Sequence, residues 1–168
     1  MKAFSILFIF LFSLFGFSQE KIKNQTTTYF FIRHAEKDIT DPKKRDPELT
    51  EEGKLRAQKW SKILADIKID LVFSTDYSRT QNTAKPIAES QNLEILSYDP
   101  RDLNNKEFQK KTYGKTSVIV GHSNTTPFFV NKIVKKEKYT VIDEEEYGKL
   151  FIVTIKNGII TDVVLSID

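Results

Sequence analysis

The sequence predicts an α/β fold: a three-layer α/β/α domain around a central, mostly parallel sheet. Apolar segments of strand length alternate along the chain with segments of helical character, the pattern that lays helices on both faces of a parallel sheet. Two of the strand segments, residues 28–32 (TYFFI) and 116–120 (TSVIV), are rich in aromatic or β-branched residues and read as buried strands. The chain closes on two further strand segments around Asn157-Gly158, a dipeptide suited to a hairpin turn because both positions can take positive φ.

The elements follow in order. Lys2 precedes an almost wholly apolar run, residues 3–17, and Gly16-Phe17-Ser18 then offers a small-x-small cleavage pattern. This is the layout of a secretory signal peptide over residues 1–18, with cleavage after Ser18. It leaves a single domain over residues 19–168, about 150 residues, enough for one sizeable core. After a polar lead-in and the first strand, residues 38–48 carry two prolines and many charges and read as a loop. Thr50 is placed to cap a helix, with Glu51 and Glu52 in its positive first turn. Leu55, Trp60, Ile63, Leu64 and Ile67 form the expected apolar face of that helix. Residues 69–74 read as a second strand and 78–90 as a helix that must accommodate Pro86. A weaker strand at 93–97, a short helix at 102–111, the strand at 116–120 and a helix at 125–134 follow. The closing strands are 150–155 and 159–167.

Composition narrows the partners. The formal charge is +3, or +2 once Lys2 is removed, too mild to argue for nucleic acid or for an anionic membrane surface. There is no cysteine, so no disulfide forms and no lipid-modified cysteine anchors the chain. With the apolar leader cleaved, no stable membrane association is expected, and no cofactor is implied.

The chemistry-bearing residues are few. The chain has two histidines, and each follows an apolar strand: His34 after YFFIR and His122 after VIVG. In an open α/β sheet, ligands bind beyond the carboxyl ends of the strands, so both belong at one edge. Arg33 adjoins His34, and Arg79 opens the helix that follows a third strand end. Arginine offers a planar fork of donors that matches phosphate oxygens, and a histidine of pKa ~6.5 keeps a free ring nitrogen at neutral pH. Two arginines and two histidines converging on one pocket suggest a phosphoryl site for a small phosphorylated substrate.

Arg33-His34-Ala35-Glu36-Lys37 resembles the Arg-His-Gly/Ala signature of the histidine phosphatase, or phosphoglycerate-mutase-like, superfamily. Leu49-Thr50-Glu51-Glu52-Gly53 is similar to its Leu-Thr-x-x-Gly segment. Residues 74–84 (STDYSRTQNTA) resemble its second block, and Gly121-His122-Ser123-Asn124 its third. The resemblance, nearest the small phosphohistidine-phosphatase-like members, implies a metal-independent phosphatase. In it His34 attacks phosphorus, Arg33 and Arg79 hold phosphoryl oxygens, and His122 donates a further hydrogen bond and can carry positive charge. With His122 charged and His34 neutral, the rate would pass through a bell-shaped pH optimum. The family's usual glutamate after the third strand is missing. Asp99 is the first candidate for the acid by position, with Glu36 and Asp38 as rivals. Two other readings remain: a metal-dependent hydrolase using the histidines and a carboxylate, and a phosphate-binding protein without turnover. An exported phosphatase, periplasmic or extracellular, is the expectation.

Overall fold

The computed structural model describes residues 25–167. The expected signal peptide lies outside them. Ten elements follow in the predicted order: β1 (Thr26–Arg33), α1 (Glu51–Ile63), β2 (Leu71–Ser74), α2 (Ser78–Ser90), β3 (Ile95–Ser97), α3 (Lys106–Thr112), β4 (Thr116–Gly121), α4 (Thr125–Val134), β5 (Lys149–Lys156) and β6 (Ile159–Ser166). They build one six-stranded sheet in the order β3-β2-β4-β1-β5-β6. β1, β4, β2 and β3 pair in parallel, while β5 runs antiparallel to both β1 and β6. One strand out of six is therefore reversed, and the edge strand β6 again points the way β1 does.

The period-2 alternation of side chains splits each central strand between two cores. Phe30 and Ile32 of β1, with Val118 and Val120 of β4, face Trp60, Leu64, Ala84 and Ile87 around α1 and α2. Tyr29, Phe31 and Ile119 point the other way, onto Phe108 of α3 and Phe129, Val130 and Ile133 of α4. Burial of each Val, Leu, Ile and Phe among them stabilises the fold by about 1.5–3 kcal/mol.

Helix α1 departs from expectation in its packed face. Trp60, Ala57 and Leu64 are buried, but Leu55 is 66% exposed and Ile63 36% exposed. The stripe facing the sheet runs through Gly53, Ala57, Trp60 and Leu64, a spacing of three to four residues that leaves Leu55 on the solvent side. Thr50 caps the helix as expected, its Oγ1 accepting from the Gly53 backbone N–H at 3.0 Å. Pro86 lies inside α2, and its carbonyl accepts from the Ser61 hydroxyl of α1 at 2.9 Å.

Gly53 explains the Leu-Thr-x-x-Gly segment. A Cβ built there would lie 2.2 Å from the Glu36 carbonyl oxygen, so only glycine lets α1 press against the backbone that follows His34. The Thr50 N–H donates to that same carbonyl at 2.9 Å. At the far end of the sheet, Asn157 (φ 52°) and Gly158 (φ 76°) make the expected hairpin turn. Among the described residues no helix is long and apolar enough to cross a membrane.

Gly53→Ala is expected to destabilise the protein by about 1–3 kcal/mol through overpacking against a backbone atom that cannot yield. Urea denaturation measures this; an unchanged midpoint would show that the loop after His34 moves aside freely.

Candidate active site

The parallel pairing of β1 with β4 builds the centre of the site. Arg33 lies opposite Gly121 in register, so the next residue of each strand is a histidine. The His34 N–H donates to the Gly121 carbonyl at 2.9 Å, and the two imidazoles stand edge to face with centroids 5.5 Å apart. β2 pairs with the other side of β4, which brings the start of α2, and with it Arg79, to the same edge. An open cleft of about 400 Å³ results, lined by His34, Lys37, Tyr77, Arg79, His122 and Glu144 among others. A second cavity of about 460 Å³ lies at the opposite end of the sheet, around Tyr29, Tyr113 and the 157–158 turn. Among the described residues its one charged lining side chain is Lys135, whereas the first gathers both histidines and Arg79.

His34 is 2% exposed. Its Nδ1 lies 2.8 Å from the Ala35 carbonyl oxygen. A carbonyl only accepts, so Nδ1 carries the proton and Nε2 keeps its lone pair. Burial, and the positive charges of Arg33 and Arg79 beside it, push the His34 pKa down to about 3. The ring is thus neutral and its tautomer fixed. Thr83 of α2 steadies the following peptide, accepting from the Ala35 N–H at 2.9 Å and donating to the Arg79 carbonyl at 2.7 Å.

His122 corrects an expectation. Its Nδ1 sits 3.3 Å from Arg79 Nη2, which can only donate, and its Nε2 sits 3.0 Å from Thr75 Oγ1. Nδ1 is therefore an acceptor and Nε2–H the donor, which is the neutral ring. Burial, then the charges of Arg79, Lys37 and Arg33, lower its pKa to about 4. A charged His122 would set a cation against Arg79, so the bell-shaped dependence expected from a His122 cation does not follow in the free protein.

The arginines differ. Arg79 lines the cleft, with Nη1 3.3 Å from Asp46 and the guanidinium 4.4 Å from the Tyr77 ring centroid, a cation–π contact. Arg33 is fully buried. Its Nη1 donates to the carbonyls of Asp143, Glu144 and Glu146 at 2.7–3.1 Å, and Nη2 donates to the Glu144 carboxylate at 2.9 Å. Its guanidinium also lies 4.3 Å from the Tyr147 ring centroid. Arg33 thus anchors the α4–β5 loop as well as adjoining His34. Among the described residues five buried side-chain nitrogen or oxygen atoms lack a partner, and two of them are the Nε atoms of Arg33 and Arg79. Arg33 does not line the cleft, so of the two only the Arg79 Nε, on a guanidinium that does, bears on an anion bound there.

None of the carboxylates proposed as the acid lies in the cleft. Asp99 is clamped by Arg101, with contacts at 2.8–3.2 Å, in an adjoining surface hollow. That clamp lowers its pKa to about 2, where it holds no proton to give. Glu36 pairs with Arg56 at 2.6 Å, on the α1 side. Asp38 accepts from the Thr40 N–H and hydroxyl in an exposed turn. The reason is local chain geometry: the short side chains at 38 and 99 satisfy donors two residues on, as aspartates in turns do. The described carboxylate that does line the cleft is Glu144, within Asp143-Glu144-Glu145-Glu146, a stretch that the sequence reading passes over. Lys37 and Ser123 join it there. Among the described residues no three histidine, aspartate or glutamate side chains come together as metal ligands do.

Comparison with protein families matches residues 29–113 to the histidine phosphatase superfamily (branch 1). The chain belongs to that superfamily. Phosphoserine phosphatase 1 from Hydrogenobacter thermophilus is 37% identical to it over 73 residues. That match covers 40% of this chain and 34% of the relative, so the chain spans about a third of that relative's length. Among solved structures, a mycobacterial glucosyl-3-phosphoglycerate phosphatase is similar at TM-score 0.62 and 12% identity, covering 84% of this chain and 98% of that one. A phosphoglycerate mutase from Bacillus anthracis is similar at TM-score 0.60 and 14% identity, covering 86% and 93%. At such identities the likeness establishes the phosphoglycerate-mutase-like fold.

The two imidazoles make a direct check possible, because the chain contains no others. Their folded pKa values lie below the unfolded value of ~6.5, so the unfolded chain binds more protons as pH falls. The stability they contribute is complete above that value and is lost toward about pH 4 and then about 3. In an NMR titration of the free protein, neither imidazole is expected to protonate between about pH 8 and 5. A midpoint near ~6.5 for His34 would contradict the neutral, buried nucleophile.

Proposed function

We propose that this protein is a metal-independent phosphatase that hydrolyses a phosphomonoester or phosphoramidate through a phosphohistidine on His34. The observation that carries the proposal is the His34 tautomer: Nδ1–H held by the Ala35 carbonyl and a bare Nε2 turned to nucleophilic use. In the first half-reaction Nε2 attacks phosphorus in line with the leaving oxygen. Arg79 in the cleft, with the buried positive charge of Arg33 beside His34, offsets the charge on the equatorial oxygens. In the second, water displaces His34 and releases phosphate. Membership of the superfamily supports this chemistry. The positive charges of Arg33, Lys37 and Arg79 around the nucleophile favour an anion over a metal cation. The phosphorylated substrates named for the relatives are candidates here, and an exported chain would meet a phosphorylated sugar, nucleotide or envelope component.

The chain from Gln19 onward is expected to hydrolyse p-nitrophenyl phosphate in the presence of a chelator. His34→Ala should abolish this, and Arg79→Ala should lower kcat by roughly 10²–10³-fold, the scale for one charge-stabilising donor. Near-native activity of His34→Ala would dispose of the covalent scheme. Activity lost to chelation and restored by a divalent metal would replace it with metal-dependent hydrolysis, while phosphate binding without release from any ester would mark a binding protein.

Export rests on Lys2, the apolar run at 3–17 and the Gly16-Phe17-Ser18 pattern. Expression in a bacterium with a secretory pathway should yield a chain outside the cytoplasm whose N-terminal residue is Gln19. A cytoplasmic chain that retains Met1 would contradict it.

A further inference from the structure

We propose that Glu144, from the loop between α4 and β5, protonates the leaving oxygen and afterwards takes a proton from the hydrolytic water. The assignment rests on the phosphatase reading and supplies the acid that Asp99, Glu36 and Asp38 do not.

Place comes first. His34 is buried at the floor of the cleft, whereas the Glu144 side chain is 64% exposed and lines the same cleft. In-line transfer sets the leaving oxygen on the side of phosphorus opposite His34 Nε2, which is toward the open mouth. Asp46, the other carboxylate near Arg79, is committed to the Ser78 N–H and hydroxyl at 2.9–3.0 Å and to Arg79. It does not line the cleft.

Charge comes second. In the free protein Glu144 holds donors that a phosphoryl group would also seek. Oε1 accepts from Ser123 Oγ at 2.6 Å, and Oε2 lies 2.9 Å from Arg33 Nη2 and 3.6 Å from Lys37 Nζ. The Ser123 hydrogen bond first, then the Arg33 and Lys37 charges, hold its pKa below the usual glutamate value. Entry of a phosphate dianion reverses this balance. It adds a like charge beside the carboxylate and competes for the same cations, and both changes favour the protonated form. The groups facing Glu144 from the packed elements are Arg33 at the end of β1 and Lys37 beyond it, and His122 and Ser123 after β4. None of them is an anion that would already hold a proton on Glu144. The substrate thus generates the acid it needs.

The proton count closes. In the first step the Nε2–P bond forms, the P–O ester bond breaks, and the Glu144 proton goes to the departing oxygen. In the second, a water oxygen bonds to phosphorus, the Nε2–P bond breaks, and one water proton returns to Glu144.

The test uses two aryl esters of nearly the same shape, p-nitrophenyl phosphate and phenyl phosphate, whose leaving groups differ in basicity. Glu144→Gln keeps the shape and hydrogen-bonding reach of the side chain but cannot donate an acidic proton. The variant's kcat/KM ratio, nitrophenyl over phenyl, should rise at least about tenfold over the native ratio, because the poorer leaving group depends more on the acid. An unchanged ratio, with both esters slowed alike or neither slowed, would overturn the assignment and reduce Glu144 to a partner of Arg33. A matching thermal midpoint for the variant shows that the fold is intact. Persistence of either activity in His34→Ala would instead overturn the phosphatase reading beneath it.

Discussion

The parallel register of β1 against β4 is the constraint from which the site follows. With Arg33 opposite Gly121, the two strands end together and release His34 and His122 side by side. A shift of one residue would turn Phe30, Ile32, Val118 and Val120 out of one core and into the other, so burial on both faces locks the register. The site's geometry is therefore protected by the hydrophobic core. β2 on the far side of β4 then fixes where α2 begins, and with it Arg79.

The electrostatics follow from that placement. Two imidazoles, two guanidinium groups and the Lys37 ammonium sit within one small region; burial first, and these charges second, keep the imidazoles neutral. Neutrality is what a nucleophilic His34 needs, and the Ala35 carbonyl selects which nitrogen is free. The Arg79 guanidinium in the cleft is the complementary half of this arrangement. In the free protein the Glu144 and Asp46 carboxylates are the anions that pair with these cations.

Much of the fold was legible in the sequence because local signals agreed with the final packing. The strand segments at 28–32 and 116–120, the Thr50 cap and the Asn157-Gly158 turn each carry a local physical cause. So did the clustering of His34, His122 and Arg79, since strand ends in a parallel sheet share an edge. What failed was orientation. Leu55 has an apolar side chain but lies on the solvent face of α1, a matter of helix rotation set by Gly53 against Glu36. Asp99 has the right place along the chain, yet Arg101 two residues on claims it. Glu144 reaches the cleft through a loop whose path depends on three carbonyls binding Arg33, a contact more than a hundred residues apart in sequence. No pattern around residue 144 announces that path.

The central claim is a covalent phosphoryl bond to His34, and it can be seen directly. The protein would be mixed with p-nitrophenyl phosphate, stopped rapidly under alkaline conditions that preserve phosphohistidine, and its peptides read by mass spectrometry. The account predicts one phosphorylated site, His34, whose label is lost on acid treatment. Turnover of the ester with His34 unlabelled at every stopping time, or label carried by another residue, would contradict it.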